Sequence, residues 1–467
     1  MMKEIKKIVI IGAGITGLLS GLEFSKKGYD VTILEKNNFI GGVATSIISN
    51  GYSMDIGPHY VTLQNGSEIT KNIINIINEN NLVKLPENIR RSRKAYFYSK
   101  LWDEFPTINQ FISNMNKKNL LQIIFEICLN KLKNNFKNNP KNSKEYLISN
   151  YGKFLYKNWF VPYYKNLFYD EIPSIELVKE KFVPINFNKI LKNINLNSKK
   201  MKSKESVSNG FFDCYFKNGM ITLIKSIEKE ILKNNGIIET GANIKKIEHE
   251  TKKIVYEKDS KIIEINSDVI IYALPLNTTK RWLNIEDSKK ENQIKTLNSI
   301  MVFLFIDTEK LFDRWIIDIY DNDLIFWRIS QQSFLSNTVT PAKKTLVNVE
   351  IRTKENSDVW NLNDENIFKN VINDLKKIKI IGNEKIEGYK ILRLKNIYPL
   401  NPNEIYDNSM KNLVNSYDNE YVAGIESNSD TFFTENNLES KNNTIRPGGI
   451  LIEMMNAKNL VKKIIKK

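Results

Sequence analysis

The strongest pattern in this chain is a set of short apolar runs without polar alternation. Ile8-Val9-Ile10-Ile11 and Asp30-Val31-Thr32-Ile33-Leu34 predict strands covered on both faces, the burial a parallel sheet requires. A third run, Asp268-Val269-Ile270-Ile271-Tyr272, ends at Ala273-Leu274-Pro275, where proline stops a strand. Glu420-Tyr421-Val422-Ala423-Gly424 is a shorter fourth. Amphipathic spacing predicts a helix from about Ile221 to Asn234, strand-like segments at Ile237–Ile247 and Lys252–Ile265, and a terminal helix over Ile450–Lys467. Residues 89–205 read as mostly helical: Asn119–Asn135 carries one apolar stripe, and Ser143–Phe168 is rich in aromatics. Residues 281–410 alternate strand patterns (Ile300–Asp307, Trp315–Tyr320, Leu324–Ser330, Thr345–Arg352) with a helix near Asp364–Ile378.

The first strand runs straight into Gly12-Ala13-Gly14-Ile15-Thr16-Gly17 and a helix, and Glu35, with Lys36 beside it, follows the second strand 18 residues after Gly17. Strand, glycine turn, helix, strand and terminal acid make a dinucleotide-binding βαβ unit. Gly12 forms the tight turn, Gly14 lets backbone approach a pyrophosphate, Gly17 lets helix and strand pack, and Glu35 takes ribose hydroxyls. A nicotinamide site needs no more than this. The chain adds Gly41-Gly42, six residues past Glu35, and then Gly57-Pro58-His59. Paired glycines remove bulk and supply N–H donors where backbone passes a flat or charged ligand.

On these residues the chain resembles the FAD-dependent amine oxidase and protoporphyrinogen oxidase-like superfamily, including the branch that holds UDP-galactopyranose mutase. The resemblance implies an α/β fold: a Rossmann-type FAD-binding domain with a three-layer parallel sheet and an inserted α+β substrate domain. It places Gly41, Gly42, Val43 and Ser46 along the FAD diphosphate, and Gly57, Pro58 and His59 near the flavin ring. Val43 stands where many relatives have Arg. The adenosine would meet the strand near Ile244 and the segment Ala273–Pro275. Gly424 and Glu426, then Gly448 and Gly449 ahead of the last helix, would approach the ribityl and N1 region, where a helix dipole stabilises a reduced flavin. The implied division is 1–88 with 206–280 and 411–467 as the FAD domain, and 89–205 with 281–410 as the substrate domain. Weaker likeness extends through Arg91-Ser92-Arg93, Tyr151–Phe168, Phe326–Ser330, Glu350 and Tyr398-Pro399.

Composition narrows the chemistry. The formal net charge is +16, but the lysines are dispersed, so a solvated surface accounts for them and nucleic acid is not expected. Cys128 and Cys214 form neither a disulfide framework nor a metal motif, no signal peptide precedes the first strand, and a cytoplasmic protein without a structural metal is expected. With FAD carrying the redox step, protein groups need only position a small, anionic substrate. His59, Arg328, Arg393 and Tyr398 are the candidates, and His249 reads as structural. Three functions fit: an oxidase or desaturase moving hydride from a substrate carbon to flavin N5, a mutase-like enzyme acting on a nucleotide sugar with no net redox change, and a flavin-fold binding protein without catalysis. The segment Leu120–Leu129, followed by Lys131, Lys133 and Lys137, reads as a buried core helix first and as a membrane-interface helix second.

Overall fold

The structure is a computed structural model that describes residues 6–86, 89, 92–134, 140–169, 175, 178–179, 211–285, 296–399, 417–423 and 449–465. The apolar runs assemble into a five-stranded parallel sheet in the order Ile237–Glu239, Asp30–Leu34, Lys7–Ile11, Val269–Tyr272, Glu420–Val422. Alternate residues of these strands enter two cores, which is why the runs lack polar alternation. Ile8, Ile10, Val31, Ile33, Val269 and Ile271 face the helices Ile15–Ser25, Ile221–Lys233 and Gly449–Ile465, the last through Ala457, Val461 and Ile464. Val9, Ile11, Ile270 and Tyr272 face an antiparallel three-stranded sheet made of Asn243–Glu248, Lys253–Lys258 and Lys261–Asn266. The result is a three-layer α/β unit with a Rossmann-like sheet.

Two segments expected as continuous strands are each cut by a turn. Ile237–Ile247 breaks at Gly241, φ +71°, where the Gly241 and Ala242 N–H groups donate to the carbonyls of Asn37 (3.0 Å) and Glu35 (2.8 Å). Its first part joins the parallel sheet and its second the antiparallel one. Lys252–Ile265 is a hairpin whose turn residues Asp259 and Ser260 both have positive φ, as a tight hairpin turn requires. Leu324–Ser330 is strand only from Arg328, because the Ile325 N–H is captured by the Asp374 carboxylate at 2.8 Å.

The second unit is a seven-stranded sheet in the order Ile386–Pro399, Thr296–Ile306, Thr345–Thr353, Arg328–Gln331, Ile316–Ile319, Arg93–Phe97, Lys100–Trp102. Its first strand was not among those expected; the alternation is broken at Asn396, φ +58°, where the register shifts. One face packs on the helix Asp364–Lys377 through Ile367, Val371 and Leu375. On the other, Met301, Phe303, Phe305 and Leu346 meet Tyr52, Met54 and Ile56, with Tyr52 stacked on Phe305 at 4.3 Å. Those three belong to the hairpin Ser46–Ser49/Tyr52–Asp55 and its continuation, so the segment carrying Gly57-Pro58-His59 lies against this face.

The helical insertion surrounds an aromatic core of Phe97, Phe111, Tyr151, Trp159 and Phe160. Ser143–Phe168 is not one helix. Gly152 adopts φ +86°, a π-turn spans Tyr156–Phe160, and Pro162 opens the next helix, Val161–Phe168. Glu126 fills the kink: a side chain at Gly152 would come within 2.8 Å of its carboxylate, which accepts the Phe154 N–H at 2.7 Å.

Candidate cofactor and substrate site

The glycines after the first strand build a cradle with no side chains on its floor. Gly12 has φ +104°, and a Cβ there would lie 2.4 Å from the Ala273 carbonyl oxygen. At Gly17 a Cβ would lie 1.9 Å from the Gly12 carbonyl oxygen, so the helix sits as close to the turn as backbone allows. Gly14 caps the helix N-terminus with no side-chain hydrogen bond, and the space where its side chain would project is open. Gly41 pairs with Gly14, and its N–H donates to the Ala13 carbonyl at 2.7 Å; a Cβ on Gly42 would approach the Gly14 Cα at 3.3 Å. Two glycine turns therefore lie against each other at the uncapped end of a helix, where the dipole and free N–H groups favour an anion. Beside them the buried Thr45 hydroxyl has no protein partner.

Glu35 is buried at the edge of this cradle. Its Oε2 accepts the Ala13 N–H at 2.8 Å, and its Oε1 accepts both the backbone N–H and side-chain amide of Asn37, at 2.9 and 2.8 Å. One lone pair of Oε2 is left for a further donor, such as a ribose hydroxyl. Lys36 and Val43 are exposed, Ile244 is half-buried above the parallel sheet, and Ala273 closes the turn through its N–H to the Ile11 carbonyl, 2.9 Å. Pro275 starts the short helix Leu276–Trp282 and is exposed.

Ser46, expected beside the diphosphate, instead commits its hydroxyl to a buried network around Asp55. It donates to Asp55 Oδ1 at 2.6 Å and accepts the Ile221 N–H at 2.9 Å. Asp55 also accepts the Tyr215 hydroxyl at 2.5 Å and the Met220 N–H at 3.1 Å, while its own N–H donates to Gln332. Burial pushes this carboxyl up to about 6, and the hydrogen bonds from Ser46, Tyr215, Met220 and Gln332 restrain the rise. Four elements are tied at one point, two residues before Gly57.

His59 follows. Its Nδ1 lies 3.1 Å from the Gly57 carbonyl oxygen, which can only accept, so Nδ1 carries the proton and Nε2 presents a lone pair. Burial lowers the imidazole to about 4; Glu350 and the Gly57 carbonyl oppose this and Arg328 adds to it. The ring is neutral at pH 7.

The charges that reach His59 stand on the seven-stranded sheet. Arg328 is held by Glu350 in a bidentate pair, Nε–Oε1 and Nη2–Oε2 both 2.7 Å, and the Tyr398 hydroxyl donates to Glu350 Oε2 at 2.8 Å. Glu350 has no accessible side-chain surface, and its charge outweighs the burial that would otherwise depress Arg328, raising the guanidinium above its usual range. Arg352 stands beside them with no carboxylate partner among the described residues. It donates to the Asn166 carbonyl at 2.6 Å, its Nε is buried without a partner, and burial lowers it to about 10. The Trp327 ring has both guanidiniums near it, Arg328 at 4.1 Å and Arg352 at 3.9 Å. Among the described residues, the Trp327 ring thus carries two guanidiniums, of which one is paired with a carboxylate.

Arg328, Tyr398 and His59 are thus brought together, and Arg393 is not. It lies in the same strand as Tyr398 but pairs with Asp364 and the Leu362 carbonyl (2.7 Å), next to the helix on the opposite face. Gly424, Glu426 and Gly448 lie outside the described residues, and Gly449 begins the last helix. His249 bonds Glu420 at 2.9 Å and stacks on Tyr417. Glu350 and Asp55 were not singled out for the site. The available signal was a charge inside an apolar run: Thr345-Leu346-Val347-Asn348-Val349-Glu350-Ile351 buries an acid that must have a partner. Among the described residues there is no metal-binding group and no helix long and apolar enough to cross a membrane.

Residues 10–75 match the model of the NAD(P)-binding Rossmann-like domain. A 1-hydroxycarotenoid 3,4-desaturase of Flavobacterium sp. (strain P99-3) is 48% identical over 58 residues, which is 12% of this chain and 12% of the desaturase. The match thus spans far less than two thirds of that relative. The solved structure of reduced UDP-galactopyranose mutase superposes with a TM-score of 0.68 at 16% identity, over 90% of both chains. A protein of Exiguobacterium sp. 255-15, named in its structure as a candidate protoporphyrinogen oxidase, gives 0.65 at 15% identity over 99% of both. At such identities the likeness is one of fold. The chain thus shares the overall fold of these two structures, and its residues 10–75 match the NAD(P)-binding Rossmann-like domain.

Proposed function

We propose that this chain is an FAD-dependent oxidoreductase of the amine oxidase and protoporphyrinogen oxidase-like kind, acting on a small substrate that carries an anionic group. The observation that carries the proposal is the position of His59: two residues past Gly57 in the segment that follows the strand Tyr52–Asp55, and within the field of Glu350 and Arg328 on the opposing sheet. In this reading a dinucleotide runs from the cradle towards His59, with its flat ring at the far end. The paired glycines Gly41 and Gly42 and the orphan Thr45 hydroxyl extend the phosphate-binding surface beyond what a nicotinamide site needs. In this reading Gly12–Gly17 and Gly41–Gly42 hold the diphosphate, Glu35 takes the ribose, and Gly57–His59 borders the ring.

When bound, FAD supplies a two-electron acceptor for a hydride from a substrate carbon, at flavin N5. The chain's own groups prepare that event. Arg352, which has no carboxylate partner among the described residues, attracts the substrate's oxyanion, while Arg328 is held in place by Glu350 and Tyr398. Neutral His59 offers Nε2 as acceptor for an N–H or O–H proton next to the carbon losing hydride. The apolar residues Met301 and Ile56 on the same side exclude water.

A mutase-type reading has one observation in its favour, the two guanidiniums around Trp327, which suit a diphosphate. One experiment separates the readings. Purified protein is loaded with FAD and mixed without oxygen against a panel of amines, polyenes and nucleotide sugars. Bleaching of the oxidised flavin by a substrate supports the oxidoreductase. Turnover only after prior reduction, with no acceptor consumed, selects the mutase reading. A protein that cannot take up FAD refutes both.

A further inference from the structure

The helix Lys117–Asn134 is apolar on two opposite sides. Ile123 and Ile127 are 2% and 3% exposed in the aromatic core of the insertion. Leu121, Phe125 and Leu129, spaced by four residues and so aligned in one stripe, are 66%, 63% and 36% exposed. Leu121 and Phe125 are among the most exposed large apolar side chains described in this protein. The segment anticipated as a core helix is therefore packed inward on one face and exposed on the other.

The charges are sorted as well. Lys117 and Lys118 are exposed at one end, and Lys131 and Lys133 follow in sequence at the other. The single acid, Glu126, is turned inward: its carboxylate accepts the Phe154 N–H at 2.7 Å and the Gln122 amide at 3.0 Å, against the Gly152 kink. The outward face thus has an apolar middle, two exposed lysines at its N-terminal end and, among the described residues, no outward-facing carboxylate of its own, on a chain of net charge +16.

We infer that this face rests in the plane of an anionic lipid surface. Charge complementarity selects that occupant, since the exposed Lys117 and Lys118 beside an apolar stripe match acidic headgroups over acyl chains. Area argues against a second copy: three partly exposed side chains offer on the order of 300 Å² of apolar surface, well below the roughly 800 Å² per partner of a stable interface. The inner side is already packed, so the helix presents only its outer stripe and enters to a shallow depth.

The test is flotation of the full chain with vesicles of phosphatidylcholine alone or mixed with phosphatidylglycerol. Binding to the anionic vesicles should be at least about tenfold stronger than to neutral ones and should fall steeply with salt. Leu121→Gln with Phe125→Gln should lower it by at least about tenfold while flavin content and melting temperature stay unchanged. If that variant does not fold, Lys117→Glu with Lys118→Glu should weaken binding to anionic vesicles with no change in fold. The inference is overturned if the parent chain fails to float with anionic vesicles, or if the folded variants float equally well. It is also overturned if sedimentation shows a dimer that the apolar substitutions turn into monomer, since a second copy then covers the stripe.

Discussion

The glycine cradle and the Arg328–Tyr398 face are the two halves of the candidate site, and they are built by opposite means. In the cradle the functional atoms are backbone N–H groups, and the sequence contributes by withholding side chains at Gly12, Gly14, Gly17, Gly41 and Gly42. All of it is encoded within a few dozen consecutive residues. On the sheet face the functional atoms are side-chain groups from three strands: Arg328, Glu350 with Arg352, and Tyr398. Their meeting depends on strand register, because Arg328 is paired directly with Glu350 across the sheet. A backbone site suits a cofactor common to many proteins, whereas a side-chain site can be altered residue by residue to suit a substrate.

If that contrast is right, substitutions in the two halves fail differently. The largest effect is expected at Gly17. Alanine there would place a carbon 1.9 Å from the Gly12 oxygen, so the helix must move and the cradle open. Gly17→Ala should abolish FAD retention, measured as flavin released per chain. Next comes Glu350→Gln, which leaves Arg328 buried without its counter-charge and should cost about 3 kcal/mol of stability in denaturant titration. It should retain flavin. Loss of flavin in this variant would show that the two halves are not separable.

Glu35→Gln should be milder. It replaces one carboxylate oxygen by a donor facing the N–H groups of Ala13 or Asn37, weakening FAD binding by about tenfold in a fluorescence titration. The smallest effect is a change of slope with pH. Asp55, raised from 3.8 to about 6, binds more protons folded than unfolded in that window, so its contribution to stability declines as pH rises through it. His59, lowered from 6.5 to about 4, does the reverse: its contribution is complete above 6.5 and declines as pH falls towards 4. The two oppose each other between about pH 4 and 6. Asp55→Asn should make stability rise more steeply with pH across that interval than in the parent chain. Unchanged slopes would place the titration elsewhere.

The same contrast explains what could be read from the chain. Ile8–Ile11, Asp30–Leu34 and Asp268–Tyr272 showed a doubly covered sheet because burial on both faces leaves a local record in composition. The glycine turns were legible for the same reason. Gly241 and the Asp259-Ser260 turn were harder, since one residue of unusual φ divides a run that otherwise reads as continuous. Ser46 was assigned to the diphosphate, but its hydroxyl is committed to Asp55, whose other partners, Tyr215 and Gln332, come from far along the chain. Arg393 was grouped with Tyr398 because the stretch that holds both resembles one element of the family. The irregularity at Asn396 and the alternation of the strand send the Arg393 side chain to Asp364 instead. The inward turn of Glu126 depends on the kink at Gly152, which helical periodicity alone does not reveal.

The central claim is that the glycine cradle holds FAD while the Arg328–Tyr398 face meets the substrate. The most direct measurement is the identity and stoichiometry of the dinucleotide released by acid from the purified full chain after incubation with FAD and NAD(P) together. The account predicts stoichiometric FAD, retained by Glu350→Gln and absent from Gly17→Ala. Release of NAD(P) in its place, or of no dinucleotide, would contradict it.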